Sequence, residues 1–161
     1  MIADFKTAMR RMASTVSIIT CANEAGAHGM TATAVTSVCA EPSSLLVCVN
    51  TAASFHHAIS GAERFCVNLL DSSQVDLSQA FSGRLKGAER FSVGSWQLHD
   101  DGLPYLEDAQ ANLFCLVDRR IAYGTHTIFI GRVEHVLIAD QVSPLLYQDG
   151  SYASAHRLAA A

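Results

Sequence analysis

The sequence predicts a mainly β domain, an antiparallel barrel with a few short helices inserted between its strands. Three observations carry that prediction. Runs rich in β-branched and apolar residues recur along the chain, at 15–20, 30–38, 45–49, 64–70, 111–123 and 127–139. Helical spacing appears only in short stretches, which do not alternate regularly with the strands as a parallel doubly wound sheet requires. Neither the G-x-G-x-x-G turn nor the P-loop pattern occurs, so a nucleotide bound here is not held by a Rossmann turn.

Taken in order, residues 4–12 place Phe5, Ala8, Met9 and Met12 at helical spacing, with Asp4 as the expected cap. The run 15–20 (TVSIIT) reads as a strand, 23–29 as a turn region, and 30–38 (MTATAVTSV) as one further extended run. Glu41-Pro42-Ser43-Ser44 breaks it, and 45–49 is a short apolar strand. Residues 54–60 form a short helix, with Ser54 as cap and Gly61 as stop. A strand at 64–70 precedes a helical stretch at 73–81 that ends at Ser82-Gly83, and 84–104 is loop-rich. Two long strands, 111–123 and 127–139, are joined through Gly124-Thr125-His126. The alternation of the second slips once, between Ile130 and Val133 beside Gly131, which predicts a bulge. A last strand at 145–147 leads into an Asp149-Gly150 turn. No repeat or linker divides residues 1–161, which read as a single domain.

Hydrophobic residues make up 50% of the chain and charged residues 16%, enough to fill a core and too apolar for a disordered segment. So few charges on a chain this small also predict apolar surface covered in an oligomer. The net charge of −4 comes with no basic tract, so nucleic acid is not an expected partner. The apolar runs are too short to span a bilayer, and the N-terminus lacks a signal-peptide core, so the expected location is the cytoplasm. The five cysteines are odd in number, lack a C-x-x-C pair and sit in apolar or strand-like runs, which suits buried reduced thiols rather than disulfides or zinc.

The segment at 29–37 is the most unusual. Thr31, Thr33, Val35 and Ser37 share one face of a continuous strand, and Ala32, Ala34 and Thr36 keep the other small. Small side chains let a flat ligand approach the backbone, whose N–H groups and the neighbouring hydroxyls bond a polar ring edge. Threonine chosen only for β propensity explains the run equally well. Asn50 and Ser54 flank a helix N-terminus, which suits an anion as well as simple capping. Phe81-Ser82-Gly83-Arg84 with Lys86 offers a second anion-friendly loop, or merely a solvated one. His126, between the long strands, fits either contact with a pyridine nucleotide or an idle turn. His56 and His57 are adjacent and no H-E-x-x-H occurs, so no metal site is expected. No G-x-S-x-G elbow supports a hydrolytic triad on Ser82 and His126.

In order, GMTATAVTSV, LLVCVN, ASFHHAI, FCVNLL, FSG, RF, GTHTIFIGRVE and PLLY resemble the flavin reductase-like family, the short-chain NAD(P)H:flavin oxidoreductases of two-component monooxygenases. The resemblance runs from about Phe5 to Tyr152. It implies the FMN-binding split barrel, an antiparallel Greek-key barrel that forms a homodimer with flavin near the interface. It also implies that Thr31, Ala32, Thr33, Ala34, Thr36 and Ser37 line the isoalloxazine and ribityl chain of FMN or FAD. Asn50 and Ser54 then sit near the ribityl and phosphate groups, and Phe81, Ser82 and Arg84 border the phosphate or adenylate. His126, in a Gly-x-His motif that is commonly GDH in the family and GTH here, contacts the nicotinamide end of NADH or NADPH. Pro42-Ser43 stands where the family often has two prolines.

The implied reaction is hydride transfer from nicotinamide C4 to flavin N5, with the protein positioning two flat rings and stabilising charge on the reduced ring through backbone N–H groups. The reduced flavin then leaves for a separate flavin-dependent monooxygenase. A split-barrel oxidase of the pyridoxamine-phosphate type is the rival enzyme, disfavoured by the scarcity of Arg and Lys. An electron carrier and a reductase of another acceptor, such as a corrin, are the others. The acidic charge and the lack of an Arg cluster lean to NADH over NADPH.

Overall fold

The computed structural model describes residues 1–158. Helix α1 (Ile2–Met9) is followed by β1 (Ser14–Thr15), β2 (Ser17–Asn23), β3 (Gly26–Ala32), β4 (Val35–Ala40), β5 (Ser43–Asn50), α2 (Ser54–Gly61) and β6 (Arg64–Leu69). Then come α3 (Val75–Gln79), a π turn at Ala80–Arg84 and a 3-10 turn at Gly87–Ser92. The strands β7 (Trp96–Leu98), β8 (Pro104–Leu106), β9 (Ala111–Tyr123), β10 (His126–Ile138), β11 (Leu145–Gln148) and β12 (Ser151–Ser154) complete the chain.

Seven strands form the main sheet, in the order β3-β2-β6-β9-β10-β5-β4, with every neighbouring pair antiparallel. Its two edge strands, β3 and β4, are consecutive in sequence and joined only by Thr33 and Ala34. Three Cα steps reach at most about 11 Å, whereas the edges of seven flat strands lie about 28 Å apart. The sheet must therefore curl until its edges meet, which makes it a barrel split along one seam. Ile19, Val47, Val49, Phe65, Val67, Cys115 and Phe129, from five of these strands, fill the interior and are fully buried.

A second core lies outside the barrel, where Val16, Ile18, Leu70, Leu77, Phe81, Leu106 and Leu145 pack together. The Phe81 ring is 5.1 Å from those of both Phe91 and Trp96. Buried Asn68 pins the two layers. Its amide donates to Ile18 O at 2.8 Å, while Oδ1 accepts from Leu106 N–H at 2.8 Å and from the Asn112 amide at 2.9 Å. A polar group at such a depth survives only because every capacity is used.

Several local expectations change. The run 30–38 is not one strand: it breaks at Thr33-Ala34 because the chain there crosses the barrel seam. Thr31 and Thr33 therefore do not share a face with Val35 and Ser37 as a single pleat would have them. Ser54 is the first helical residue of α2, after an Ala53 N-cap, and makes no capping hydrogen bond; Gly61 closes the helix from inside it. Asp4 lies in the first turn of α1 after a Met1 N-cap and takes the α-amino group at 3.1 Å. The long β9 and β10 are as expected, and their register shifts at Ile130/Gly131 and again at Val133/His135.

All five cysteines are free. Burial pushes the thiols of Cys21 and Cys115 up to about 12 and that of Cys66 well above its usual range, so none of the three is a thiolate at neutral pH. Cys39 and Cys48 depart from the expected burial: Cys39 sits exposed on edge strand β4, and Cys48 is half-buried on β5.

Candidate functional site

A cleft of about 1180 Å³ opens along the seam of the barrel. Thr33, Ala34, Val35, Thr36 and Ser37 form one wall. Leu45, Leu46 and Cys48 of β5, Val133 and Val136 of β10, and Val67, Leu69 and Leu113 of β6 and β9 also line it, as do Met9 and Met12 from α1 and the turn after it. The first wall is an edge: β4 pairs with β5 alone, so the backbone groups on its other side meet no strand. Cys48 N–H donates to Ala34 O at 3.0 Å and holds the crossing segment against β5.

Above the cleft the β9–β10 hairpin turns through two residues. Gly124 takes φ +55°, a conformation that glycine alone adopts without strain, and this permits the tight turn. His126 pairs with Tyr123 on one side and Asn50 on the other. Directly opposed residues of an antiparallel ladder point to the same face. Tyr123, His126 and Asn50 therefore form one row across three strands. The next row is Ile121, Ile128 and Cys48, followed by Arg119, Ile130 and Leu46. Leu46 and Cys48 of this face border the cleft, as does Leu45 of the other face, so the row of His126 continues one of the two faces that meet at the cleft.

Hydrogen bonds fix this end of the sheet. Thr51 N–H and Oγ1–H donate to Thr125 O at 2.9 and 3.1 Å. Asn50 Oδ1 accepts from Ala52 N–H at 2.9 Å, which shapes the loop into α2 and brings Ser54 beside it. Thr125 Oγ1 and His126 Nδ1 are 3.0 Å apart. On the opposite face, Thr127 Oγ1 and His56 Nε2 are 2.9 Å apart, which joins the hairpin to α2.

The sequence-derived residues thus separate. Thr33, Ala34, Thr36 and Ser37 line the cleft; Asn50 and His126 pair one row beyond Cys48, and Ser54 opens the helix that follows. Ser82 and Arg84 occupy an exposed turn against β3, where Ser82 Oγ donates to Gln79 O at 3.1 Å and Arg84 Nη2 to Asp76 O at 3.0 Å. Three side chains are engaged within the protein itself. Thr31 Oγ1 is spent on Ser78 O at 2.7 Å, Ala32 packs into the barrel core, and Phe81 is 1% exposed inside the second core. Phe81 in particular is a packing residue, wedged under Gly29, where a Cβ would come within 2.7 Å of its ring. Sequence reasoning did not single out Tyr123, which shares the row of His126, nor the contact of Thr125 with the His126 ring. Their only signal was position, one on each side of the turn beside Gly124 or His126.

The cleft suits a flavin. Its volume exceeds that of an ordinary small-molecule site, its seam wall bears only short side chains, and its edge strand leaves main-chain amides for the polar rim of a planar ring. Among the described residues no three His, Cys, Asp or Glu side chains are placed to hold a metal ion. No helix among them is long and apolar enough to cross a membrane.

Comparison with known proteins agrees with this geometry. The flavin reductase like domain matches residues 9–156. The reductase component of an FADH(2)-dependent resorcinol hydroxylase from Rhizobium sp. (strain MTP-10005) is 46% identical over 154 residues, covering 94% of this chain and 86% of that protein. The FMN reductase (NADH) RutF of Stutzerimonas stutzeri (strain A1501) is 39% identical over 149 residues, covering 92% and 86%. Among solved structures, the flavin reductase PheA2 superposes with a TM-score of 0.87 at 33% identity, covering 96% of this chain and 98% of that one. With so much of its length matched, and with a split barrel whose seam is walled by small residues, the chain belongs to the flavin reductase-like family.

Proposed function

We propose that this protein oxidises NADH, reduces FMN or FAD, and supplies the reduced flavin to a separate monooxygenase. The observation that carries the reading is a seam cleft walled by residues 33–37, with exposed His126 one row beyond Cys48, which lines it. A hydroxylase reductase component and an NADH-dependent FMN reductase among its relatives support the same activity, and favour NADH over NADPH.

The flavin supplies the hydride acceptor and the nicotinamide the donor. Residues 33–37 let the ring lie against the backbone, with Thr33, Thr36 and Ser37 hydroxyls and neighbouring amides available to its polar edge. Asn50 at the end of β5 and Ser54 at the start of α2 face the ribityl and phosphate end. Ser82 and Arg84, in the turn beside β3, are placed for a phosphate or an adenylate. His126 holds the nicotinamide end and is not required as a general base, because hydride transfer between two cofactors needs positioning above all.

Two copies of the chain complete the assembly. Phe5, Met9 and Met12 near one end of the cleft, and Ile138 at 77% and Val142 at 78% exposure beside its β10 wall, leave an apolar rim that a second copy covers. The oxygenase is a transient partner reached by diffusing flavin. The free thiols suit the reducing cytoplasm.

The test is NADH loss followed by absorbance, with and without FMN or FAD. Consumption that depends on added flavin is expected. Tightly bound flavin with no NADH consumption would instead favour an oxidase or carrier.

A further inference from the structure

Tyr123 is the most exposed aromatic side chain among the described residues, at 80%. It stands at the tip of the hairpin, directly opposite His126, and both side chains project from the face that continues into the cleft. Its mount is rigid. Gly124 sets the turn, Thr51 ties Thr125 to the loop before α2, and Arg120 Nη2 reaches back to Ala62 O at 2.6 Å where α2 ends. Opposed residues in such a ladder hold their Cβ atoms about 5 Å apart. Tyr123 and His126 therefore present an aromatic wall and a polar ring nitrogen side by side, at a spacing that one flat heterocycle can touch at once.

We infer that Tyr123 is a positioning residue for the reduced pyridine nucleotide. Its ring forms the apolar wall against which the nicotinamide lies, while His126 holds the polar carboxamide end. This rests on the reading that His126 marks the nicotinamide end of the site. A neutral dihydropyridine gains from an aromatic surface what it cannot gain from a charge, and the row offers no charged side chain. Strand β9 pairs with neither β4 nor β5, which leaves two strands, β10 and β5, between Tyr123 and the cleft wall at residues 33–37, so its contribution falls on NADH and not on the flavin.

Steady-state kinetics on the full chain separates the possibilities. Tyr123→Ala is expected to raise KM for NADH about tenfold, the size of one lost aromatic contact with its buried area. Its kcat and its KM for FMN stay within about twofold of the parent, as loss of uniform binding requires, and its mass in solution is unchanged. Tyr123→Phe keeps the parent KM, because the ring and not the hydroxyl is used. His126→Ala runs beside them. If His126→Ala raises KM for NADH and Tyr123→Ala does not, the inference fails and the site reading stands. If neither changes it, the nicotinamide does not bind at this hairpin and both fail. If Tyr123→Ala shifts KM for FMN or the mass in step with KM for NADH, Tyr123 serves the flavin site or the interface, and the inference is overturned.

Discussion

In the proposed site His126 holds the nicotinamide end, and its neighbour accounts for the lack of an acidic partner. Thr125 takes the middle position of Gly-Thr-His, and its hydroxyl meets Nδ1 at 3.0 Å. A hydroxyl either donates or accepts, so it orients the ring without fixing a charge on it. Nε2 remains as the polar atom for a ligand. Replacing His126 by Ala is expected to raise KM for NADH about tenfold while kcat falls less than about threefold, the pattern of lost ground-state binding. Thr125→Val, which frees the ring to rotate, is expected to give a smaller rise of about threefold. A collapse of kcat at unchanged KM in either variant would make His126 a proton-transfer group instead.

The hairpin strands show what the sequence makes legible at the level of an element and what it does not. The slip in the alternation of β10 beside Gly131 appears in the structure as a register shift. The reason is close packing: a Cβ on Gly131 would fall within 2.8 Å of Cys115 Cβ and closer still to the Phe65 ring, in the middle of the barrel core. Gly131→Ala is therefore expected to destabilise the fold by about 2–3 kcal/mol, read as a lower urea midpoint at unchanged slope. An unchanged midpoint would mean that the strand can move aside. The break at Thr33-Ala34 was not legible, because small β-branched residues alternate identically whether the chain continues its strand or crosses a seam. The short β12, Ser-Tyr-Ala-Ser, escaped for a related reason: four residues with one large side chain carry no period. Ser54 shows the same limit at a helix start, where its type suggested a cap and the backbone put it one residue further in.

At the scale of the molecule, two facts of topology make the site. Consecutive strands stand at opposite edges of a seven-stranded sheet, so the sheet closes and a seam remains. The hairpin that projects beyond the barrel carries its row of polar and aromatic residues on the face of that seam. The ordered resemblance named Ala34, Asn50 and His126; Ala34 lines the seam cleft, and Asn50 and His126 pair where β5 ends and β10 begins. It could not foretell that Thr31, Ala32 and Phe81 turn inward, since that depends on which side of the seam each side chain falls and on the second core beneath β3.

The claim beneath this picture is that flavin lies along residues 33–37 because nothing there stands far from the backbone. Substituting Ala34→Leu tests it directly, since the added side chain projects from an exposed position of the crossing segment and leaves both cores untouched. Anaerobic reduction of FMN by NADH, followed by loss of flavin absorbance, is the measurement. The account predicts rapid bleaching with the parent protein and a rise of about tenfold or more in KM for flavin with the variant, at an unchanged circular dichroism spectrum. Parental reduction at parental KM by a folded Ala34→Leu chain would place the flavin elsewhere and contradict the account.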